Sequence, residues 1–295
     1  MWFIFASLTA FFEACKDATG KQSLKTLDEY SVLFSFMAVG VVLIVPVMLL
    51  TEGWPTLGPN YGWAVLVGGG LNILAFTLYV RALKIADLSL TVPLVTLTPL
   101  FLLGTSPLIV QEWPTWADGV GVVLLVVGSY VLNLDRVHIM HSGAQFKQSF
   151  FAPLAAMVQN EGSRLMLCVA FLWSITSNFD KIGVVNSSPL FWVISLFSTI
   201  AAGMVPFVFR RGRNFGDLWK QWKLLGVTGA FNAIAVTFQM MALTLAPVAQ
   251  VIAVKRTSAL ISVLFGHFCF GEKGLRSRLL GAAIMVSGVA VMSLR

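Results

Sequence analysis

From Trp2 to Leu294 the sequence is a near-continuous succession of apolar runs, each ended by a short polar or Pro/Gly-containing break. A helix crosses ~30 Å of hydrocarbon in about 20 residues. Ten runs of that length can be marked, at 1–18, 31–51, 61–82, 87–110, 116–134, 164–182, 189–210, 222–244, 247–270 and 277–294. The runs are continuous rather than alternating, which excludes a closed β-barrel. Charged residues make up only 11% of the chain, against about a quarter in soluble proteins, so a water-soluble surface cannot be built. A hydrophobic content of 57% excludes disorder. Three cysteines without metal-ligand spacing, Cys15, Cys168 and Cys269, exclude a disulfide scaffold. The expectation is an all-α, multi-pass membrane protein whose solvent is the lipid bilayer. Met1–Cys15 is apolar from the start, without a basic n-region or an Ala-x-Ala site, and reads as a retained first span rather than a signal peptide.

The chain repeats itself. At an offset of 160, Gly69, Asn72, Ala75, Thr77, Ala82, Leu83 and Ala86 return as Gly229, Asn232, Ala235, Thr237, Ala242, Leu243 and Ala246. Leu100, Glu112, Gly121, Val126, Gly128, Val131 and Leu134 return as Leu260, Glu272, Gly281, Val286, Gly288, Val291 and Leu294 with no gap. Phe11, Lys21, Ser35 and Pro46 recur at the same offset as Phe171, Lys181, Ser195 and Pro206. Polar identities in ungapped register are not what two greasy stretches share by composition. The division is 1–134 for the first repeat, 135–163 for a connection holding Gly143 and Pro153, and 164–295 for the second. Five spans is an odd number, so the second repeat enters the membrane upside down. Two inverted five-helix repeats are the signature of alternating-access transporters, whose substrate site lies near the midplane.

The turns Ala82-Leu83-x-x-Ala86 and Ala242-Leu243-x-x-Ala246, the Pro99-Leu100 segment, and Glu112 and Glu272 ahead of the last span of each repeat carry a resemblance. The chain resembles the EamA-like transporters of the drug/metabolite transporter superfamily over nearly its whole length. The resemblance implies ten helices in two inverted repeats and transport of a small molecule. It does not name the substrate, since the family moves amino acids, nucleotide sugars, drugs and phosphorylated metabolites.

The net charge of +7 reflects where the cations lie, not a nucleic-acid partner, because no basic run has interleaved aromatics. Of the 20 basic residues, all but Lys181, Arg295, Lys255 and Arg256 fall in or beside the loops that follow odd-numbered spans. By the positive-inside rule those loops are cytoplasmic and both termini are outside, in the cytoplasmic (inner) membrane if the cell is bacterial.

Within the spans the polar residues are few. Asn72 shares a helical stripe with Gly68, Ala75 and Tyr79, and Asn232 shares the matching stripe with Thr228, Ala235 and Gln239. Each seam can either glue neighbouring helices or line a cavity. Lys255 and Arg256 are the sharpest signal, about 12 Å into the ninth span at 1.5 Å per residue. Cations at that depth cost at least ~2.5 kcal/mol each and by default mark a substrate or ion path. Lys255 shares a face with Ser258 and Ser262, which makes it the better cavity residue. The alternative is an ion pair with Glu13, read as the only carboxylate well inside a span. Glu13 can equally carry protons or pair with Lys16, and its repeat mate is Trp173, which with Tyr79 would serve a hydrophobic or cationic cargo.

Two narrower resemblances add to this. Val254-Lys255-Arg256 is similar to the adjacent Lys-Arg pair with which plastid sugar-phosphate translocators grip a phosphate. Those proteins carry a further basic residue in the fourth helix; here Val95 and Thr96 occupy the repeat positions of the pair, which argues against a phosphate ester and leaves a carboxylate or amino acid open. Glu13 resembles the proton-coupling glutamate of small multidrug transporters.

Pro93, Pro99 and Pro107 interrupt the fourth span among Thr91, Thr96 and Thr98, as a kink, a hinge or a source of free carbonyls. Gly68-Gly69-Gly70 lacks a following Lys-Ser/Thr and reads as close helix packing rather than a phosphate loop. His138, His141 and His267 have no metal partners in the pattern. No nucleophile–base pair stands out, so no enzyme, cofactor or metal is expected. The leading expectation is a secondary transporter of a small organic anion, clamped by Lys255 with Arg256 assisting and coupled to protons or a counter-substrate. The alternatives are an exporter of hydrophobic or cationic compounds, and a non-transporting scaffold or membrane-embedded enzyme.

Overall fold

The computed structural model describes residues 1–24, 27–85, 94–140, 161–210, 220–258, 260–261 and 275–293. Ala86, Thr91, Pro93, His141, Ser262, His267 and Glu272, singled out above, lie outside the described residues. Among the described residues every regular element is helical. The elements are α1 (Trp2–Ser23), α2 (Glu29–Thr51), α3 (Tyr61–Ala64, a π turn Val65–Gly69, then Gly70–Ile85), α4 (Thr98–Ile109), α5 (Trp116–Met140), α6 (Glu161–Val185), α7 (Pro189–Arg210), α8 (Trp222–Leu243), α9 (Val248–Lys255) and α10 (Leu275–Ser293).

Among the described residues five stretches are long and apolar enough to cross a membrane: α2, Tyr61–Tyr79 of α3, α6, Pro189–Val208 of α7, and α8. The other runs differ from full spans for local reasons. α1 has the length, but Glu13, Lys16 and Asp17 make its second half polar. α9 stops at Lys255. Thr98–Ile109, Trp116–Gly128 and Ala283–Met292 are apolar but shorter. α2 begins where Asp28 caps it: its Oδ1 accepts from the Tyr30 and Ser31 backbone N–H groups at 3.1 Å each, and its Oδ2 accepts from Ser31 Oγ at 2.7 Å. Such a cap satisfies donors that the first helical turn leaves open. α5 runs to Met140 and α6 starts at Glu161, so helix continues into both ends of the stretch 135–163.

The helices form two compact units, each drawn from both halves of the sequence: residues 1–73 with 176–265, and residues 74–175 with 266–295. In the first unit α1 lies on α8 through aromatic contacts, with Phe5 stacked on Phe238 and Phe12 against Phe231 and Phe238, and it also packs on α9. α2 pairs with its repeat mate α7. Tyr30 stacks on Phe207 at 5.3 Å, and ten residues along α2 the absent side chain of Gly40 admits the ring of Phe197, ten residues back along α7. The two helices are therefore antiparallel.

The second unit repeats the pattern with α5 and its mate α10. A Cβ on Gly121 would meet the Gly288 carbonyl oxygen at 2.6 Å, and one on Gly128 the Gly281 carbonyl oxygen at 2.7 Å. These four glycines are two matched pairs in the repeat, crossing in reverse order. Mates that run antiparallel are what an upside-down second copy produces.

The triple glycine has a more varied role than packing alone. Gly68 and Gly69 do lie against Phe179 and Thr199, with a hypothetical Cβ at 2.8 and 2.6 Å, but Gly70 has nothing within 4 Å. The segment also carries the π turn, which the regular 3.6-residue reading of the third span did not include.

Candidate functional site

The ninth span does not run through the lysine–arginine pair. α9 ends at Lys255, Arg256 is its C-cap, and the Thr257 N–H turns back to the Val254 carbonyl at 3.0 Å before Leu260 and Ile261 bond to Thr257. The same bonds occur 160 residues earlier. The Leu97 N–H reaches the Leu94 carbonyl at 3.1 Å, and Leu100 and Phe101 bond to Leu97. Each repeat thus carries a tight turn at one shared position, at Thr96–Leu97 and at Arg256–Thr257. Threonine hydroxyls stabilise both turns: Thr98 Oγ1 donates to the Val95 carbonyl and Thr257 Oγ1 to the Val254 carbonyl, at 2.7 Å each. A broken helix leaves backbone groups available where an unbroken one has none. Lys255 projects from one such break.

Around it the first unit gathers the charges expected from the sequence. Lys255 Nζ donates to Gln239 Oε1 at 2.8 Å and lies 3.7 Å from Glu13 Oε2. The other oxygen of Glu13 accepts from Lys16 Nζ at 2.6 Å, and Lys16 also reaches Asp17 Oδ1 at 3.2 Å. Three cations (Lys16, Lys255, Arg256) face two carboxylates in this group, with Arg256 in electrostatic contact with both Glu13 and Lys255. The side chains of Glu13, Lys16 and Lys255 remain 15%, 18% and 17% exposed. Glu13 thus lies within ion-pair distance of both Lys16 and Lys255.

The seam on α8 leads to this cluster. Thr228, Asn232, Ala235 and Gln239 are all buried, and Gln239 makes the contact to Lys255. Asn232 keeps a buried Nδ2 without a hydrogen-bond partner among the described residues. Asn72 on α3 and Ser258 beyond the break are buried as well.

Tyr79 and Trp173 belong to the second unit and meet there. Their rings are 5.4 Å apart, with Phe76 edge-on to Trp173 at 5.7 Å, and Val95 packs in the same cluster as Tyr79 and Trp173. At the repeat offset Tyr79, Val95 and Trp173 correspond to Gln239, Lys255 and Glu13. One fold position therefore holds a polar, charged triad in the first unit and an apolar, aromatic triad in the second.

Glu13 is not the only carboxylate inside a span. α6 extends to Val185, beyond the expected end at 182, and Asp180 within it is only 6% exposed. The Trp192 indole Nε1 donates to Asp180 Oδ1 at 3.2 Å, and the carboxylate interacts electrostatically with Lys255. Trp192 is fully buried because Gly183 presents no side chain to its ring. The neighbouring Ser174, Thr176, Ser177 and Asn178 are buried too. With the span expected to end at 182, Asp180 falls in its last turn and reads as a terminal residue; three further helical residues and the seat of Trp192 put it inside. No group of three or more His, Cys, Asp or Glu able to hold a metal exists among the described residues.

A crystal structure of another protein superposes with a TM-score of 0.75 at 15% identity, covering 99% of this chain and 95% of that one. At that identity the likeness speaks for the fold alone. No match is found among curated protein sequences. The model of the EamA-like transporter family matches twice, over residues 1–134 and again over 161–294. The two matched segments keep the spacing of 160 on which the internal identities and both helix breaks fall, and the chain is a multi-pass membrane protein that belongs to the EamA-like transporter family.

Proposed function

We propose that the protein is a secondary transporter of a small organic anion, working by alternating access between two inverted five-span repeats (1–134 and 164–295, joined by 135–163). The observation that carries the reading is Lys255, a partly exposed ammonium projecting from a helix break and held by one neutral and one anionic partner. An ammonium has three donors; Gln239 engages one and Glu13 attracts a second, which leaves one for a carboxylate cargo. The cargo competes with Glu13, and Arg256 adds positive potential from the adjacent position. Since a lone cation in a membrane interior is costly, the internal carboxylate holds the empty site and yields to an external one. The odd-numbered loops are cytoplasmic and both termini outside.

Counterflow into proteoliposomes with carboxylates, amino acids and sugar phosphates tests this. Accelerated uptake of carboxylates that is lost in Lys255→Gln supports it; no accelerated uptake of any anion ends it. A second reading, export of hydrophobic or cationic compounds, draws on the Phe76–Tyr79–Trp173 aromatic group. Competition by cations alone in the same panel would favour that reading and leave Lys255 a structural ion-pair partner.

A further inference from the structure

Two acidic side chains of the first unit, the partly buried Glu13 and the buried Asp180, act on Lys255, and they are held in opposite ways. Glu13 lies between two ammonium groups, with Lys16 Nζ at 2.6 Å and Lys255 Nζ at 3.7 Å. A carboxylate shared by two cations is locked in its charged form, because neutralising it would strand both. It is a poor carrier of a proton that must come and go.

Asp180 has no such lock. Its one hydrogen bond comes from a neutral indole, Trp192 Nε1 at 3.2 Å, and no cation lies within salt-bridge distance of it among the described residues. The groups around it can be named. On α6 the adjacent Lys181 spends its ammonium on the Ala246 carbonyl at 2.8 Å. From α7 the contact is Trp192, and the π turn of α3 meets α6 through Gly68 against Phe179 without a charge. From α9 the charge that acts on Asp180 is Lys255. A carboxylate that is buried, singly bonded by a neutral donor and in the field of one distant cation can exist in either protonation state.

We infer that Asp180 is the proton-binding group of the transport cycle and that Glu13 is the fixed counter-ion of Lys255. The inference rests on the transport reading above for what the proton is used for. A proton from the aqueous phase adds to one carboxylate oxygen, forming one O–H bond and leaving a neutral acid. With Asp180 neutral, Lys255 loses one of its two attracting carboxylates and holds an incoming anion more tightly. With Asp180 charged, the anion is released more easily. Proton and anion therefore bind together and leave together, so cargo and proton move in the same direction. The indole N–H serves both states: the carboxylate accepts it more strongly, and the carbonyl oxygen of the neutral acid still accepts it.

Infrared difference spectra of the full chain in lipid bilayers, recorded across pH steps without any added anion, test the assignment. The expected result is a C=O stretch of a weakly bonded, protonated carboxyl that appears as pH falls. It persists in Glu13→Gln, disappears in Asp180→Asn, and moves to higher frequency in Trp192→Phe, where the indole no longer donates to it. Asp180→Asn keeps an oxygen that accepts from Trp192, so the fold has its bond. If that variant does not assemble, Trp192→Phe alone decides, because only a carboxyl at Asp180 responds to it. A band that survives Asp180→Asn, vanishes in Glu13→Gln, or ignores Trp192→Phe overturns the inference, as does the absence of any such band. The readout contains no cargo, so a failed anion panel leaves it standing, and its own failure leaves Lys255 as the anion contact.

Discussion

Replacing Glu13 by Gln removes one negative charge from a group of two carboxylates and three cations while keeping the side chain's size. At the 3.7 Å that separates Glu13 Oε2 from Lys255 Nζ, two unit charges in a medium of effective dielectric ~20 attract by ~4.5 kcal/mol. That figure is a ceiling. Both side chains keep some exposure, and Gln239 still holds the ammonium after the carboxylate is gone. Breaking a buried pair from one side costs ~3–5 kcal/mol because the partner is stranded, so with partial exposure about 2–3 kcal/mol is expected for Glu13→Gln. Lys255→Gln costs less, about 1 kcal/mol, since Glu13 retains Lys16 at 2.6 Å. The double variant strands nothing and should cost no more than Glu13→Gln alone. The coupling from the four-protein cycle is then ~1–2 kcal/mol. Denaturant or thermal unfolding of the purified protein in one lipid or detergent system reads it. Additivity to within ~0.5 kcal/mol would refute the claim that these two groups hold each other.

Three further outcomes follow from local geometry. Gly128→Ala places a Cβ 2.7 Å from the Gly281 carbonyl oxygen and the Met285 backbone nitrogen, so α5 and α10 must separate; overpacking of ~1–3 kcal/mol should exceed the helix-propensity gain of ~1 kcal/mol and lower the melting temperature. Gly70→Ala meets nothing within 4 Å and should raise the melting temperature, through a stabilisation of ~0.5–1 kcal/mol. Asp28→Ala removes the cap from α2 and should cost ~1 kcal/mol in the same melts.

How much of this was legible in the sequence depends on the physical scale of each feature. The offset of 160 is carried by residues whose type matters locally, such as Gly121 and Gly128 against Gly281 and Gly288, so it shows directly in the letters. The antiparallel pairing of α2 with α7 and of α5 with α10 is what five expected spans per repeat imply. That Lys255 needs polar partners was also legible, because a cation in an apolar run is expensive wherever it points, and Gln239 and Glu13 are those partners. The break beside it was not: nothing in Val-Lys-Arg-Thr forbids a helix, and only the matching turn at Thr96–Leu97 reveals that both copies share it. Asp180 escaped for a related reason. Its burial depends on α6 extending to Val185 and on Trp192 seating against Gly183, which are tertiary facts. The interleaving of the halves into two compact units depends on which helices pack, and hydropathy is silent about that.

The claim on which the account turns is that the ammonium of Lys255 holds the cargo. The most direct measurement is the affinity of the purified protein for the carboxylate that competes best in the counterflow panel, compared between wild type and Lys255→Gln. A charge-assisted hydrogen bond is worth ~1.5–3 kcal/mol, so Kd should rise by roughly 10- to 150-fold while the variant retains its helical content. An unchanged Kd, or a panel in which no anion binds the wild type, would contradict it.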